Sequence, residues 1–394
     1  MQTEKILIKR GKEILFSLDL GVFSLLFDST VMRRSNKYYK ALDNKEMNFD
    51  GFRKMARDAE VPYPLFFLSE EQAENRVKDY VKRVFFGTSK GEISIASRGD
   101  INRADISLIL KDLTRKQILL KEFITEECPL PKCIKKSSLN VAEQAESIRA
   151  IIGYDIHEIE NLNKERSYNH LVNCLARNNV FVSLYSHGYC PQDIPKKLCF
   201  SGIAINDKHC PFLFVKAGDY DSSIEPWGRR MFTIGLLLSS LCYGECKPVT
   251  MDGKSRDLSS NKHYLFAEEF LMPEYLIRHT TVTSRLELDS AARKFAVSPS
   301  AMVLRLFRLG IFNDAEKEYY LDELEDEYQD QLQKRKGGNR ITPDKGILRY
   351  NNPELVKRYI DFFDNKRITE RQLKHLLCYR KGESVDIEAL RQYG

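Results

Sequence analysis

The sequence predicts a mostly helical α+β protein that contains more than one domain. Apolar residues recur with helical spacing along most of the chain. Runs of β-branched and aromatic residues, bounded by turn-forming residues, are few and short, and they predict a small sheet. The chain has 394 residues, which is more than a single hydrophobic core usually organises. We therefore expect two or three domains, built mainly from helices.

Composition and charge are those of a folded protein. Hydrophobic residues make up 42% of the chain and charged residues 30%, which excludes collagenous, low-complexity and disordered chains. The net charge of +6 permits contact with nucleic acid without requiring it. The nine cysteines are odd in number and scattered without a CxxC pair, as in reduced cytoplasmic proteins. The longest apolar run, residues 231–243, is too short to span a bilayer. We expect a cytoplasmic protein without membrane contact.

Residues 1–67 predict a first domain that is a compact bundle of short helices. Short apolar clusters separated by polar residues run from residue 9 to residue 67 with helical periodicity. Asn48 is placed to cap a helix that Val61 and Pro62 end, because the residue before a proline is disfavoured in the α region.

Residues 68–137 predict a connecting segment of mixed character. Its expected elements are a charged helix over 70–84, a β-like run over 92–96 and a helix over 105–123. The stretch CPLPKCIKKSS, residues 128–138, is typical of a linker because of its prolines and polar residues.

Residues 138–285 predict a second globular domain with a small sheet. Two helices are expected first, over 141–153 and 167–177. The predicted strands cover residues 180–184, 200–205 and 211–215. A helix over 229–243 follows, and it has almost no polar stripe, so it must be buried on most of its faces. A further helix covers about 261–270.

Residues 286–394 predict a helical C-terminal region. A helical unit begins near residue 285, and further helices are expected at 313–336, 353–364 and 369–378. The acidic run 316–330 is typical of a solvated helix, and it could also dock a basic partner.

Nucleotide-binding and nucleophile motifs are missing from the sequence. It contains no GxxxxGK[ST] loop, no GxGxxG loop and no GxSxG elbow. We therefore expect no cofactor.

Two consecutive helical stretches carry a family resemblance. Residues 230–241 read RMFTIGLLLSSL, and residues 266–273 read FAEEFLMP. They resemble the ImmA/IrrE family of zinc metallopeptidase-like proteins, whose active-site helix reads RFTLAHELGHLLLH and whose next helix reads ExxANxFAxxLLMP. Residues 49–68 look like the last helices of the phage-repressor (XRE) type of helix-turn-helix that often precedes this peptidase domain. The resemblance implies a zincin-like domain behind a helix-turn-helix bundle.

The sequence departs from the family pattern at the metal ligands. On the family's HExxH motif, Leu236 takes the place of the first histidine, Leu237 that of the glutamate and Ser240 that of the second histidine. The third ligand position falls on Ser260. Leucine has no lone pair to offer a metal, so no zinc site with an open position can form there. We expect no catalytic residues, no metal and no enzyme activity.

The helix-turn-helix resemblance is likewise incomplete, because the family's WExGE segment corresponds here to YKALDN. Basic and amide side chains that suit DNA contact lie just before it and at its second position. These candidate residues are Arg33, Arg34, Asn36, Lys37 and Lys40. A basic helix in solvent is the alternative interpretation of the same pattern.

The resemblance therefore implies a catalytically inactive regulator. The hypothesis is an antitoxin or an immunity or defence regulator that binds a protein partner, such as a toxin or the product of a neighbouring gene, and also its own operator DNA. One alternative is an active zinc peptidase that cleaves a repressor and uses non-standard ligands, with Cys242, Glu245, His263 and Glu268 as the nearby donors. Another is a DNA-binding transcriptional regulator with a sensor domain. Self-association is left open.

Overall fold

The computed structural model describes most of the chain. The described residues are 4–28, 36–59, 61–85, 93–97, 106–134, 139–192, 194, 200–216, 227–245, 249–250, 261–334, 342–377 and 386–392. Most of them are helical, and two small sheets are present, which confirms the mostly helical α+β prediction. Within these ranges no helix is both long and apolar enough to cross a membrane.

The chain forms two compact units. The first comprises Met1–Lys90, Asn102–Leu119 and Cys190–Ile194, and the second comprises Gly91–Ile101, Leu120–Tyr189 and Pro195–Gly394. The division into 1–67, 68–137, 138–285 and 286–394 stays a prediction.

The first unit begins with a three-stranded sheet. Its strands are β1 (Lys5–Arg10), β2 (Glu13–Asp19) and β3 (Glu46–Asn48), in the order β2-β1-β3. The first two strands form an antiparallel hairpin, and β3 runs parallel to β1. The prediction of helices alone from residue 9 onward was wrong here. Ile6 and Ile8 are both buried at alternate positions of β1, and Gly11 takes the positive φ of 62° that the hairpin turn requires.

Helices complete the first unit around an aromatic core. They are α1 (Leu20–Asp28), α2 (Asn36–Asn44), α3 (Phe49–Asp58), a 3-10 turn (Tyr63–Phe67), α4 (Glu70–Phe85) and α5 (Ser107–Lys121), whose last two residues belong to the second unit. The predicted cap is confirmed, because the Asn48 side chain accepts a hydrogen bond from the Asp50 amide. Phe23, Phe52 and Phe66 are fully buried and pack against one another.

The second unit contains a five-stranded mixed sheet. Its strands are β4 (Ile93–Ser97), β5 (Phe181–Leu184), β6 (Phe200–Ile205), β7 (Phe212–Val215) and β8 (Val249–Thr250), in the order β5-β7-β6-β4-β8. β6 is antiparallel to both of its neighbours, and the two outer pairs are parallel. The three predicted strands and the β-like run are confirmed, whereas β8 was not predicted.

Along the chain, four helices lie between or directly after the strands of this sheet. They are α6 (Val141–Ile152), α7 (Lys164–Arg177), α8 (Trp227–Tyr243) and α9 (Lys262–Leu271), followed by the short α10 (Glu274–Ile277). α6 starts at a capping box formed by Asn140 and Glu143. α8 packs against the sheet and also against α9. α6 packs on α9 as well.

The remaining elements are all helical, as predicted for residues from about 285 onward. They are α11 (Arg285–Lys294), α12 (Pro299–Arg308), α13 (Asp314–Lys334), α14 (Pro343–Asn351), α15 (Pro353–Asp364), α16 (Glu370–Leu377) and α17 (Ile387–Arg391). Ser284 caps α11 and Ser298 caps α12 through their side-chain oxygens.

Candidate functional site

The helix that carries the family resemblance, α8, packs against the sheet and against α7 and α9. Every residue from Met231 to Cys242 is buried, which confirms the expectation of an almost fully buried helix. Glycine at position 202 lets α8 approach the sheet. A Cβ atom at Gly202 would lie 2.9 Å from Cδ1 of Leu237 and 3.1 Å from Cγ2 of Thr233. This pair of residues, one turn apart, therefore rests directly on β6.

A second glycine brings α8 close to α9. A Cβ atom at Gly235 would lie only 3.1 Å from the Cβ of Ala267. Small residues on both helices thus allow their backbones to approach closely, and large side chains fill the space around this crossing. Phe266 and Phe270 of α9 have no exposed surface.

The positions that correspond to HExxH are packed rather than open. Leu236 and Leu237 have no exposed surface, and Ser240 is 1% exposed. The Ser240 hydroxyl oxygen is buried and has no hydrogen-bond partner within the described part of the chain. Ser260, the fourth position, lies outside the described residues. The three positions that are described offer one hydroxyl and no imidazole or carboxylate, which is a poor donor set for zinc.

Ser239, the neighbour of Ser240, contacts a histidine that is in turn close to a glutamate. Oγ of Ser239 lies 2.8 Å from Nδ1 of His263, and Nε2 of His263 lies 3.6 Å from Oε2 of Glu245. The three residue types are those of a nucleophilic triad. Ser239, however, has no exposed surface, and its hydroxyl donates to the Leu236 carbonyl at 2.7 Å. The group therefore links α8 to α9 and cannot present a nucleophile to a substrate.

Two acidic residues of α9 form a buried ionic network with α12. Nε of Arg308 lies 2.7 Å from Oε2 of Glu268, and Arg305 is ion-paired with Glu269. Arg305 also donates to the Met272 carbonyl at 3.1 Å. Burial raises the pKa of Glu268, and the two arginines oppose that shift. Because each carboxylate has a guanidinium partner, the network ties α9 to α12 and leaves neither acid available for general-base chemistry.

The four nearby donors that the peptidase alternative would need, Cys242, Glu245, His263 and Glu268, are not grouped into a metal site. Glu268 is held by Arg308, and Cys242 lies within hydrogen-bonding distance of Cys133. Glu245 is ion-paired with Lys262, beside its contact with His263. Among the described residues no three His, Cys, Asp or Glu side chains are grouped in a way that could hold a metal ion.

The structure describes three of the five candidate DNA-binding residues. Arg33 and Arg34 lie outside the described residues. Asn36 and Lys37 form the first turn of α2, and Lys40 is exposed on the same helix. Their role in DNA binding stays a prediction.

Several buried contacts were missed by sequence reasoning. The pairs Arg305–Glu269 and Cys133–Cys242 join residues that are far apart in the chain. No spacing rule links such partners, and only the packing of α9 on α12 and of residues 132–134 on the end of α8 brings them together.

Comparison of the chain with family models, with curated proteins and with solved structures gave no match. The ImmA/IrrE resemblance therefore stays a prediction that rests on the motifs quoted above. The packing around α8 carries the functional argument instead.

Proposed function

We propose that this chain is a catalytically inactive ImmA/IrrE-like regulator that acts as an antitoxin or an immunity regulator by binding a partner protein. The observation that carries the proposal is the complete burial of Leu236 and Leu237 at the positions of a metal ligand and a general base. A zinc peptidase needs donors that hold the metal and a carboxylate that takes a proton from its water. Aliphatic side chains supply neither function.

The surroundings of these leucines support a scaffold role. The side chains that could replace the missing groups are engaged in contacts that hold helices together, as Glu268 is with Arg308 and His263 with Ser239. These contacts hold α9 against α8 and α12. They support a role in which the fold presents a surface to another molecule.

The C-terminal helices offer the most exposed apolar groups for such a surface. Leu286 on α11 is 79% exposed and Tyr319 on α13 is 64% exposed, the two highest values among the large hydrophobic residues that the structure describes. A salt bridge of 2.8 Å between Arg285 and Glu327 joins the two helices. α13 carries nine carboxylates against two lysines. Exposed apolar side chains next to an acidic helix fit a partner with a basic surface and an apolar anchor site.

The proposal is tested on the full-length chain, purified through a tag from cells that carry its neighbouring genes. We expect a neighbour-encoded protein to co-elute in a stoichiometric amount, and zinc analysis of the same sample to find no bound metal. Leu286→Glu should weaken capture of that protein. Ile14→Glu is the matched control, because Ile14 is also exposed, at 54%, and lies in the first unit. Its capture should equal that of the wild type.

The same experiment separates the alternatives. One zinc ion per chain without a protein partner would favour the active peptidase. Binding to its own promoter DNA that weakens steeply with added salt, again without a protein partner, would favour the DNA-binding regulator. Wild-type capture by Leu286→Glu would place the contact surface elsewhere, and equal loss of capture in Leu286→Glu and Ile14→Glu would show that the loss is not specific to α11.

A further inference from the structure

The C-terminal end of α8 is held by a segment of chain that contains a cysteine. The amide of Lys132 donates to the Leu241 carbonyl, and the amide of Ile134 donates to the Cys242 carbonyl, both at 3.0 Å. These carbonyls belong to the last turn of α8, where the regular helical hydrogen bonds end, and the Leu241 carbonyl also accepts from the Gly244 amide at 3.1 Å. Cys133 lies between the two donors and is therefore fixed beside Cys242.

The two thiols contact each other but differ in exposure. The Sγ atoms of Cys133 and Cys242 lie within hydrogen-bonding distance, and both thiols are free. Cys242 is completely buried, whereas Cys133 is half-buried. Cys133 also lines a small open pocket of about 80 Å³ together with Gln144, Ser147 and Ile148 of α6. A small molecule can therefore reach Cys133 but not Cys242.

The electrostatics assign different roles to the two sulfurs. The hydrogen bond from Cys242 lowers the pKa of Cys133. Burial raises the pKa of Cys242, which keeps that thiol protonated as the donor. The thiolate is the nucleophilic form of cysteine, so the accessible sulfur is also the reactive one.

We propose that Cys133 and Cys242 form an oxidisable thiol pair in which Cys133 reacts with a hydroperoxide and Cys242 resolves the product as a disulfide. In the first step the Cys133 thiolate attacks a peroxide oxygen, so that an S–O bond forms, the O–O bond breaks, and hydroxide leaves from hydrogen peroxide or alkoxide from an alkyl hydroperoxide. In the second step Cys242 loses its proton and attacks the Cys133 sulfur, so that the S–S bond forms, the S–O bond of the sulfenic acid breaks, and the departing hydroxide takes up the proton to leave as water. Both thiols are oxidised and the peroxide is reduced to two molecules of water or to water and an alcohol.

The disulfide would fasten the segment before α6 to the end of α8. In the reduced protein, two backbone hydrogen bonds make this connection. A covalent link between residues 133 and 242 closes a long loop and restricts the unfolded chain. Oxidation should therefore raise the thermal unfolding midpoint of the full-length protein, and reduction by dithiothreitol should reverse the shift.

The test uses the reduced full-length chain treated with hydrogen peroxide and mapped by mass spectrometry without reduction. The expected product is one peptide cross-link that joins Cys133 and Cys242. Before oxidation, iodoacetamide should alkylate Cys133 at least about tenfold faster than Cys242, because thiolate content and exposure both favour Cys133. In Cys242→Ser, dimedone should trap a sulfenic acid at Cys133.

Cys174→Ser is the matched control, because the Cys174 thiol is buried and bonds to the Gly153 carbonyl rather than to another cysteine. Its yield of the cross-link should equal that of the wild type. A cross-link from Cys133 to Cys128 or to any other cysteine would overturn the proposal. So would a reduced Cys133, or a sulfonic acid at Cys133 without any disulfide. The wild-type map decides the matter even if a serine variant fails to fold.

Discussion

Nζ of Lys116 lies 2.8 Å from Oδ2 of Asp112, one turn earlier in α5, and neither side chain has any exposed surface. Burial lowers the pKa of Lys116, while the neighbouring carboxylate acts to raise it. An ion pair without solvent contact depends on both partners, because removing one leaves an uncompensated buried charge. The pair is therefore a point where the stability of the fold is sensitive to a single substitution.

We expect Asp112→Ala to lower the free energy of unfolding by about 3–5 kcal/mol, because Lys116 would lose the carboxylate that compensates its charge. Urea denaturation followed by circular dichroism measures the loss. The matched control is Glu370→Ala, which breaks the Glu370–Lys374 pair with the same spacing in a helix. That pair is about half exposed, so the expected change is below about 0.5 kcal/mol. Equal effects at the two sites would contradict the burial argument.

Gly202→Ala should destabilise the second unit by about 1–3 kcal/mol, because a Cβ atom there overpacks the contact between α8 and the sheet. The added atom would lie 2.6 Å from the Phe214 carbonyl oxygen as well as close to Leu237. Thermal unfolding of the full-length chain reports the effect. Gly51→Ala is the control, because its nearest neighbour, Cγ of Met47, is 3.8 Å away. Gly51 lies within α3, so Gly51→Ala should raise the free energy of unfolding by about 0.5–1 kcal/mol. A harmless Gly202→Ala would mean that α8 can move away from β6.

Much of the fold was predictable because local patterns and final packing agree. The uniform hydrophobicity of residues 229–243 required burial on several sides, and α8 is buried on all of them. Asn48 caps the start of α3 as predicted, because capping acts over neighbouring residues only, whereas α3 ends at Asp58, earlier than the predicted end at Val61 and Pro62. The β1–β2 hairpin was missed because its short apolar clusters, around residues 6–8 and 14–16, also fit the spacing of a helix.

Only one feature of the candidate site could be predicted from the sequence, namely that metal-binding side chains are missing at the positions where the family has them. Alignment of the α8 motif to the family pattern placed Leu236 and Leu237 at ligand positions without knowledge of the fold. The contact of Ser239 with His263 and the pairing of Cys133 with Cys242 were out of reach. Each joins residues from separate elements, and their proximity follows from tertiary packing rather than from a local spacing.

Lys164 should give the stability of the protein a distinct pH dependence. Its Nζ donates to the Val297 carbonyl at 2.5 Å, and burial lowers the pKa of Lys164 from 10.5 to about 8. Between these pH values the unfolded chain binds a proton that the folded chain has released, so the free energy of unfolding rises with pH. Below the pKa that Lys164 has in the folded protein, both states bind the proton. The buried charge then lowers the free energy of unfolding by a constant amount.

The measurement compares wild type with Lys164→Met in urea denaturation at several pH values between 7 and 11. The wild-type free energy of unfolding, relative to the variant, should increase across this window by no more than about 2 kcal/mol, a value reduced for the partial exposure of the side chain. Buried thiols act in the opposite direction, since burial raises the pKa of Cys128 to about 12. They are common to both proteins and cancel in the comparison. A difference that stays constant across this window would show that burial does not lower the pKa of Lys164, and one that falls with pH would show that folding raises it.

Leu237→Glu places a carboxylate at the position that the family resemblance assigns to the general base. Leu237 has no exposed surface and lies against β6, so the new side chain would be buried without a cation partner. We expect the free energy of unfolding to fall by about 3–5 kcal/mol, because an uncompensated charge and an imperfect fit both act there. The pKa of the introduced carboxyl should rise, so that the loss is larger at pH 8 than at pH 5. Leu237→Met is the control for shape and should cost less than about 1.5 kcal/mol. If Leu237→Glu instead unfolded like Leu237→Met at both pH values, the interior next to α8 would hold water or a cation. The argument that this position is filled by packing would then fail, and the metallopeptidase alternative would have to be tested again.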